Sequence, residues 1–148
     1  MNNKTILKKE LYKCFSNEMV LLHKSLNYHW NLKGSNFLSL HEFFKKMYEN
    51  FLENIDNFAE KIRQMNFFIP QNTIKLLKFS DIKFVQKIEN QNKMCLDILH
   101  SLEIQYKRYY SLFNILEYMN NQEMMDFITQ RMADNRKFHW MLRSTLNI

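Results

Sequence analysis

Glycine and proline are almost missing from this chain: one of each, Gly34 and Pro70, in 148 residues. Sandwiches, barrels and doubly wound sheets need many tight turns, and most tight turns need one of these residues. All-β and α/β folds are therefore excluded. Without further glycines there is also no phosphate-binding loop and no dinucleotide fingerprint. Cysteine is scarce too. Cys14 and Cys95 lie far apart with no CxxC, so they read as buried apolar fillers in a reducing compartment. No run approaches the ~20 apolar residues of a membrane span. The start, MNNKTILKKE, has no apolar segment of the signal-peptide kind. No internal repeat or Gly/Ser linker divides the chain. The expectation is one cytoplasmic domain over residues 1–148.

What is present is a helical pattern. Hydrophobic residues make up 46% and charged residues 24%, with a formal net charge of +6 and a pI near 9.3. A basic balance permits nucleic acid or acidic surfaces without establishing either. A 3.6-residue stripe runs from about Ile6 to Lys33 through Leu7, Leu11, Cys14, Phe15, Val20, Leu21 and Leu22. Gly34 stands where a left-handed residue would end it, and Ser35 and Asn36 are N-cap candidates for the next helix. A second stripe, about Phe37 to Met65, carries Leu40, Phe44, Met47, Tyr48, Phe51, Leu52, Ile55, Ala59 and Ile62, with Asn66 available to cap its end. Thr73 to Leu77 can form a helical turn or two in the connection that follows. A third helix is expected from Ser80 or Asp81 to about Tyr118, and a fourth from Gln122 to Leu146. The fold class is all-α: a four-helix bundle with a short extra helix between the second and third.

Groups able to hold metal or move protons are few. The signature of an intrachain di-iron bundle, Glu-x-x-His on two helices, is absent. The residues three before the five histidines are Val20, Leu26, Leu38, Asp97 and Arg136. A different set is present. His29 and His41 flank the first turn, and Asp56 and Glu60 follow at i and i+4, on one helical face. Two imidazoles and two carboxylates suit Fe(II) or Zn(II). Taken singly, each has a plainer reading: a hydrogen-bonding histidine near a helix end, or a solvated acidic pair neutralised by Lys61 or Arg63. Along a continuous helix His41 and Asp56 stand ~22 Å apart at ~1.5 Å per residue. They cannot share a metal in one chain. They meet only if two copies of that helix pack antiparallel about a two-fold axis, which gives two equivalent sites.

The run His29-Trp30-Asn31-Leu32-Lys33-Gly34, then Phe37, Leu40-His41, and Asp56-Asn57-Phe58-Ala59-Glu60-Lys61-Ile62 resembles the Dps family of DNA-protecting, ferritin-like mini-ferritins. The ending Phe138-His139-Trp140-Met141-Leu142-Arg143 resembles that family's last helix. The resemblance covers nearly the whole chain. It implies a ferritin-like subunit, a hollow dodecamer built from two-fold dimers, and ferroxidase sites between subunits, each holding up to two irons as Fe(II)/Fe(III). It implies that His29 and His41 come from one chain and Asp56 and Glu60 from its partner. Glu60 would bridge the metals, His41 and Asp56 would hold the first, and His29 a weaker second. Trp30 would be a redox-active neighbour, although an interface aromatic is its plainer reading. The implied chemistry is Fe(II) oxidation, preferentially by hydrogen peroxide, with ferric mineral stored in the cavity. An acidic iron-entry pore would be lined by Asp126 with Glu117 and Glu123, each otherwise a solvated charge near a turn.

The chain also departs from the family pattern. Lys45 stands four residues after His41, where an acidic residue is usual, and a lysine there would compete with the second iron. Lys61 replaces a frequent Arg and Asn66 a frequent Gly. The Lys-rich tail through which the family often binds DNA has no counterpart before Ile6 beyond Lys4, so DNA binding is expected to be independent of a tail. Two competing readings follow: a non-specific, nucleoid-associated DNA-binding protein with weak or lost ferroxidase activity, and a shell inactivated by Lys45.

Overall fold

A computed structural model describes residues 3–87 and 90–148. Among them are five helices and no strand: α1 (Asn3–Asn31), α2 (Phe37–Gln64), α3 (Thr73–Leu77), α4 (Gln91–Tyr118) and α5 (Gln122–Leu146). Two helical hairpins, α1–α2 and α4–α5, pack through α1 against α4, and α3 lies on α1. The expected all-α bundle with a short extra helix is present. α1 is buried on most of its circumference, including Ser16, Asn17, Glu18 and Lys24, whereas α2 buries one stripe. Cys14 and Cys95 are free and buried. Burial pushes the Cys95 thiol up to about 11.

Three expectations need correction. Ser80 and Asp81 do not start α4. The Ser80 hydroxyl and the Asp81 amide both donate to Asn17 Oδ1, at 2.8 and 2.9 Å, and the Asp81 carboxylate pairs with Arg108. Engaged elsewhere, they leave the cap to Asn90, whose side chain accepts from the Lys93 amide at 3.0 Å. Leu52, assigned above to the core, is 58% exposed, and Ile6 is exposed as well. α1 begins at Asn3 and ends at Asn31, a few residues before the positions expected.

With glycine so scarce, asparagine ends the helices. Asn66, Asn120 and Asn147 take φ of 64°, 53° and 57°. At α4 the Asn120 amide donates to Glu117 O and the Asn121 amide to Leu116 O, both at 3.0 Å. That is the paired bonding of a left-handed helix end. A Cβ opposes this backbone, and asparagine tolerates it best after glycine. Asn120→Ala is therefore expected to lower unfolding stability by about 1 kcal/mol, and Asn120→Gly to leave it unchanged or raise it. Denaturant midpoints of the two variants check this.

Candidate metal centre

The turn from Leu32 to Asn36 sets the site. Gly34 adopts φ 133°, and a Cβ there would lie 2.8 Å from Gln91 Oε1. Gln91, on α4, accepts from the Asn36 amide at 3.2 Å and donates to Ser35 Oγ at 3.3 Å. The bundle's second hairpin thus fixes the turn, and the turn folds the last residues of α1 onto the start of α2.

There His29 and His41 stack, with ring centroids 3.7 Å apart and planes 18° from parallel. Each Nδ1 lies 2.9 Å from the other residue's main-chain carbonyl oxygen. A carbonyl only accepts, so both Nδ1 atoms carry the proton and donate it. In the neutral rings both Nε2 lone pairs are then left for a metal, and the hydrogen-bonded Nδ1–H orients each ring. Phe37 stacks on His41 at 4.9 Å and Tyr48 sets its edge against His29 at 5.3 Å. In the sequence Phe37 stands in the family-like motif and Tyr48 in the α2 apolar stripe, but neither is marked there as a wall of this pair.

Asp56 and Glu60 lie on the exposed side of α2. The cations proposed as their partners are occupied elsewhere. Lys61 lies over the Phe127 ring at 5.6 Å. Arg63 stacks on Phe68 at 3.8 Å and donates to Phe67 O at 3.1 Å. No ion pair to Asp56 or Glu60 occurs among the described residues. Two adjacent carboxylates therefore stand un-neutralised, which suits a cation. α2 runs unbroken from Phe37 to Gln64, so the ~22 Å between the His41 and Asp56 positions stands. Among the described residues no three His, Cys, Asp or Glu side chains gather as a metal site.

Lys45 lies 4.0 Å from Glu49 Oε1, one turn along. Trp30 projects outward, 68% exposed. Glu117, Glu123 and Asp126 are exposed around the α4–α5 turn, and Asp126 accepts from Gln122 Nε2 at 2.8 Å. Leu38 and Leu52, 82% and 58% exposed, share a face of α2 with Lys45, Glu49, Asp56 and Glu60, at steps of three, four and seven residues. Sequence reasoning also missed a buried group on α1. Lys24, 3% exposed, donates to both Asp97 oxygens at 2.8 and 2.9 Å. Asp97 also accepts from Tyr28. His100, three residues on, lies 3.8 Å from Glu103 instead.

The ferritin-like domain family matches residues 8–148. The "DNA protection during starvation protein 2" of Bacillus anthracis is 30% identical over 129 residues, 86% of this chain and 88% of that protein. Dps from Staphylococcus aureus superposes with a TM-score of 0.92 at 24% identity, covering 100% of this chain and 99% of that one. The Dps protein of Vibrio cholerae, described as a member of a broad superfamily of ferritin-like diiron-carboxylate proteins, superposes with a TM-score of 0.90 at 20% identity, covering 97% and 91%. With its helical bundle, its histidine pair and its two free carboxylates, this chain belongs to the Dps group of the ferritin-like family.

Proposed function

We propose that this chain is a single ferritin-like domain that oxidises Fe(II) with hydrogen peroxide at sites shared by two copies and stores the ferric product in a closed shell. The observation that carries this reading lies on α2. One end presents two oriented imidazoles, the other two un-neutralised carboxylates, on a face that also exposes Leu38 and Leu52. Antiparallel pairing of α2 would cover the leucines and bring His29 and His41 to the partner's Asp56 and Glu60. Two copies give two such sites. Twelve chains built from these dimers would enclose the store, with Glu117, Glu123 and Asp126 as the acidic entry for iron, in the cytoplasm.

Fe(II) is the substrate. Two Fe(II) ions give one electron each to one peroxide. The O–O bond breaks and, with two protons, two waters form, so no hydroxyl radical is released. The chain's part is to place two irons together and supply negative charge at one end of the site. Trp30 stands beside His29 as the candidate redox neighbour. The test is anaerobic Fe(II) oxidation by peroxide on the purified assembly, with iron counted per chain. Two Fe(II) consumed per peroxide and up to two irons per site are expected. Oxidation no faster than in buffer would overturn the reading.

Lys45 bears on the second iron. In a paired α2 its ammonium would approach the partner's carboxylates and oppose a cation there. Lys45→Asp is expected to tighten the second binding step by about tenfold, read by iron calorimetry. Identical second steps would show that Lys45 stays with Glu49. The competing reading, non-specific coating of DNA, draws on the +6 charge per chain and predicts a steep salt dependence. Because residues 1–5 carry a single lysine, Lys4, removing them is expected to leave any such binding nearly unchanged at fixed salt.

A further inference from the structure

Halfway along the bundle the core changes character. One apolar cluster gathers residues such as Leu21, Phe44 and Ile98, and another gathers Leu11, Phe58 and Leu112. A polar layer supplied by all four long helices lies at the centre. Glu18 comes from α1, Asn50 from α2, Gln105 and Tyr109 from α4, and Arg131 and Asp134 from α5. Arg131 is 1% exposed and Glu18 fully buried. Arg131 Nε donates to Glu18 Oε1 at 3.0 Å. Its Nη1 donates to Asn50 Oδ1 at 2.8 Å and Asp134 Oδ2 at 2.9 Å. Tyr109 also donates to Glu18 Oε1. Burial first, and then Glu18, push the Tyr109 phenol well up, so it stays a donor. Two oxygens in the fully buried side chains of this layer have no partner: Glu18 Oε2 and Gln105 Oε1.

This layer is a poor device for stability. A buried ion pair gains little over well-packed apolar residues of the same volume, and an unpartnered buried oxygen is costly. Its composition points elsewhere. Apart from the guanidinium, it offers two carboxylates and two amide oxygens from four helices, all hard oxygen donors of the kind that Mn(II) or Mg(II) prefers. Carboxylates projecting inward from facing helices are also how helix bundles build internal metal sites. Here the one cation among them is covalently attached.

We propose that the Arg131 guanidinium is a resident cation that holds the place of a divalent metal between Glu18 and Asp134, closing the bundle interior of each chain to metal. Neutralising residue 131 would then open a site within a single chain, with Glu18 as its principal ligand. The unpartnered Glu18 Oε2 and Gln105 Oε1 are the oxygens that a small ion there would engage. The inference is independent of the shared histidine–carboxylate site, because none of these residues belongs to it.

The experiment uses the full-length assembly and Mn(II), whose bound fraction is read by electron paramagnetic resonance. Arg131→Gln is expected to bind one more Mn(II) per chain than the wild type. Its melting temperature should rise more with about 1 mM Mn(II) than the wild type's, which reports only the shared histidine–carboxylate site. Adding Glu18→Gln should abolish both effects while leaving Asp56 and Glu60 intact. Arg131→Lys, which keeps a charge, should gain no site. If the metal-free Arg131→Gln chain is unfolded, Mn(II) should restore its helical circular dichroism. Equal Mn(II) stoichiometry in Arg131→Gln and wild type, an unfolded variant that Mn(II) does not restore, an extra site that survives Glu18→Gln, or a gained site in Arg131→Lys would each overturn the proposal.

Discussion

Assemblies made only of His41→Ala chains, or only of Asp56→Asn/Glu60→Gln chains, are expected to lose Fe(II) oxidation by about a hundredfold. Mixing the two before assembly is expected to return about a quarter of the wild-type rate. The reason is geometric. α2 is one unbroken helix from Phe37 to Gln64, so no chain joins its own histidines to its own carboxylates. In a mixed two-fold dimer, one site combines both defects and the other none. Random pairing makes half the dimers mixed, and half of their sites intact. A site contained within one chain could not be rescued by mixing, so a mixture as inactive as its parents would refute the shared site. Peroxide-driven oxidation of iron, measured on unfolded-and-reassembled mixtures, is the direct reading.

The largest effect on stability is expected at Glu18. Truncation to Ala leaves the Arg131 guanidinium buried with one of its two carboxylate partners removed, and removing one member of a buried pair costs about 3–5 kcal/mol. The loss should be steep because Tyr109 and Arg131 both bond the same Glu18 oxygen. Replacing the pair together, as Glu18→Leu with Arg131→Met, should recover most of that loss, since volume is kept and no fully buried charge is stranded: Asp134 is 24% exposed and still accepts from Asn50 Nδ2. Denaturant unfolding at fixed protein concentration separates the outcomes. A double variant as unstable as Glu18→Ala would mean that the polar layer holds the bundle together.

Much of this molecule was legible in the sequence. α2 and α5 were placed within a residue or so, because their apolar spacing is regular and Asn66 and Asn121 mark their ends. Thr73–Leu77 formed the short helix expected there. The start of α4 was not legible. Ser80 and Asp81 resemble a helix cap, but their polar atoms bond Asn17, more than sixty residues earlier, and Arg108, on another helix. Leu52 was misassigned for a related reason. Its spacing fits an apolar stripe, but a single chain gives that side of α2 nothing to pack on. The types and spacing of His29, His41, Asp56 and Glu60 could be read directly. The locking of the imidazoles could not, because it depends on how the Gly34 turn closes. Nor could Glu18 and Arg131, which are 113 residues apart in the chain.

The crossed bonds of the two histidines bear on how α1 stops. The last turn of a helix leaves carbonyls without amide donors. Among the described residues no main-chain amide donates to His29 O. The His41 ring does so instead, at 2.9 Å. His41 is thus the side-chain cap of the preceding helix as well as a metal-ligand candidate. Its orientation is set when the chain folds, so little reorganisation remains for metal capture. A truncation at this position also unravels the end that carries His29. The two roles can be parted with His41→Asn, whose amide nitrogen takes the place of Nδ1 and can still donate to that carbonyl but offers no imidazole. Amide exchange over the last turn of α1 should stay slow in His41→Asn and quicken in His41→Ala, although both lack the imidazole.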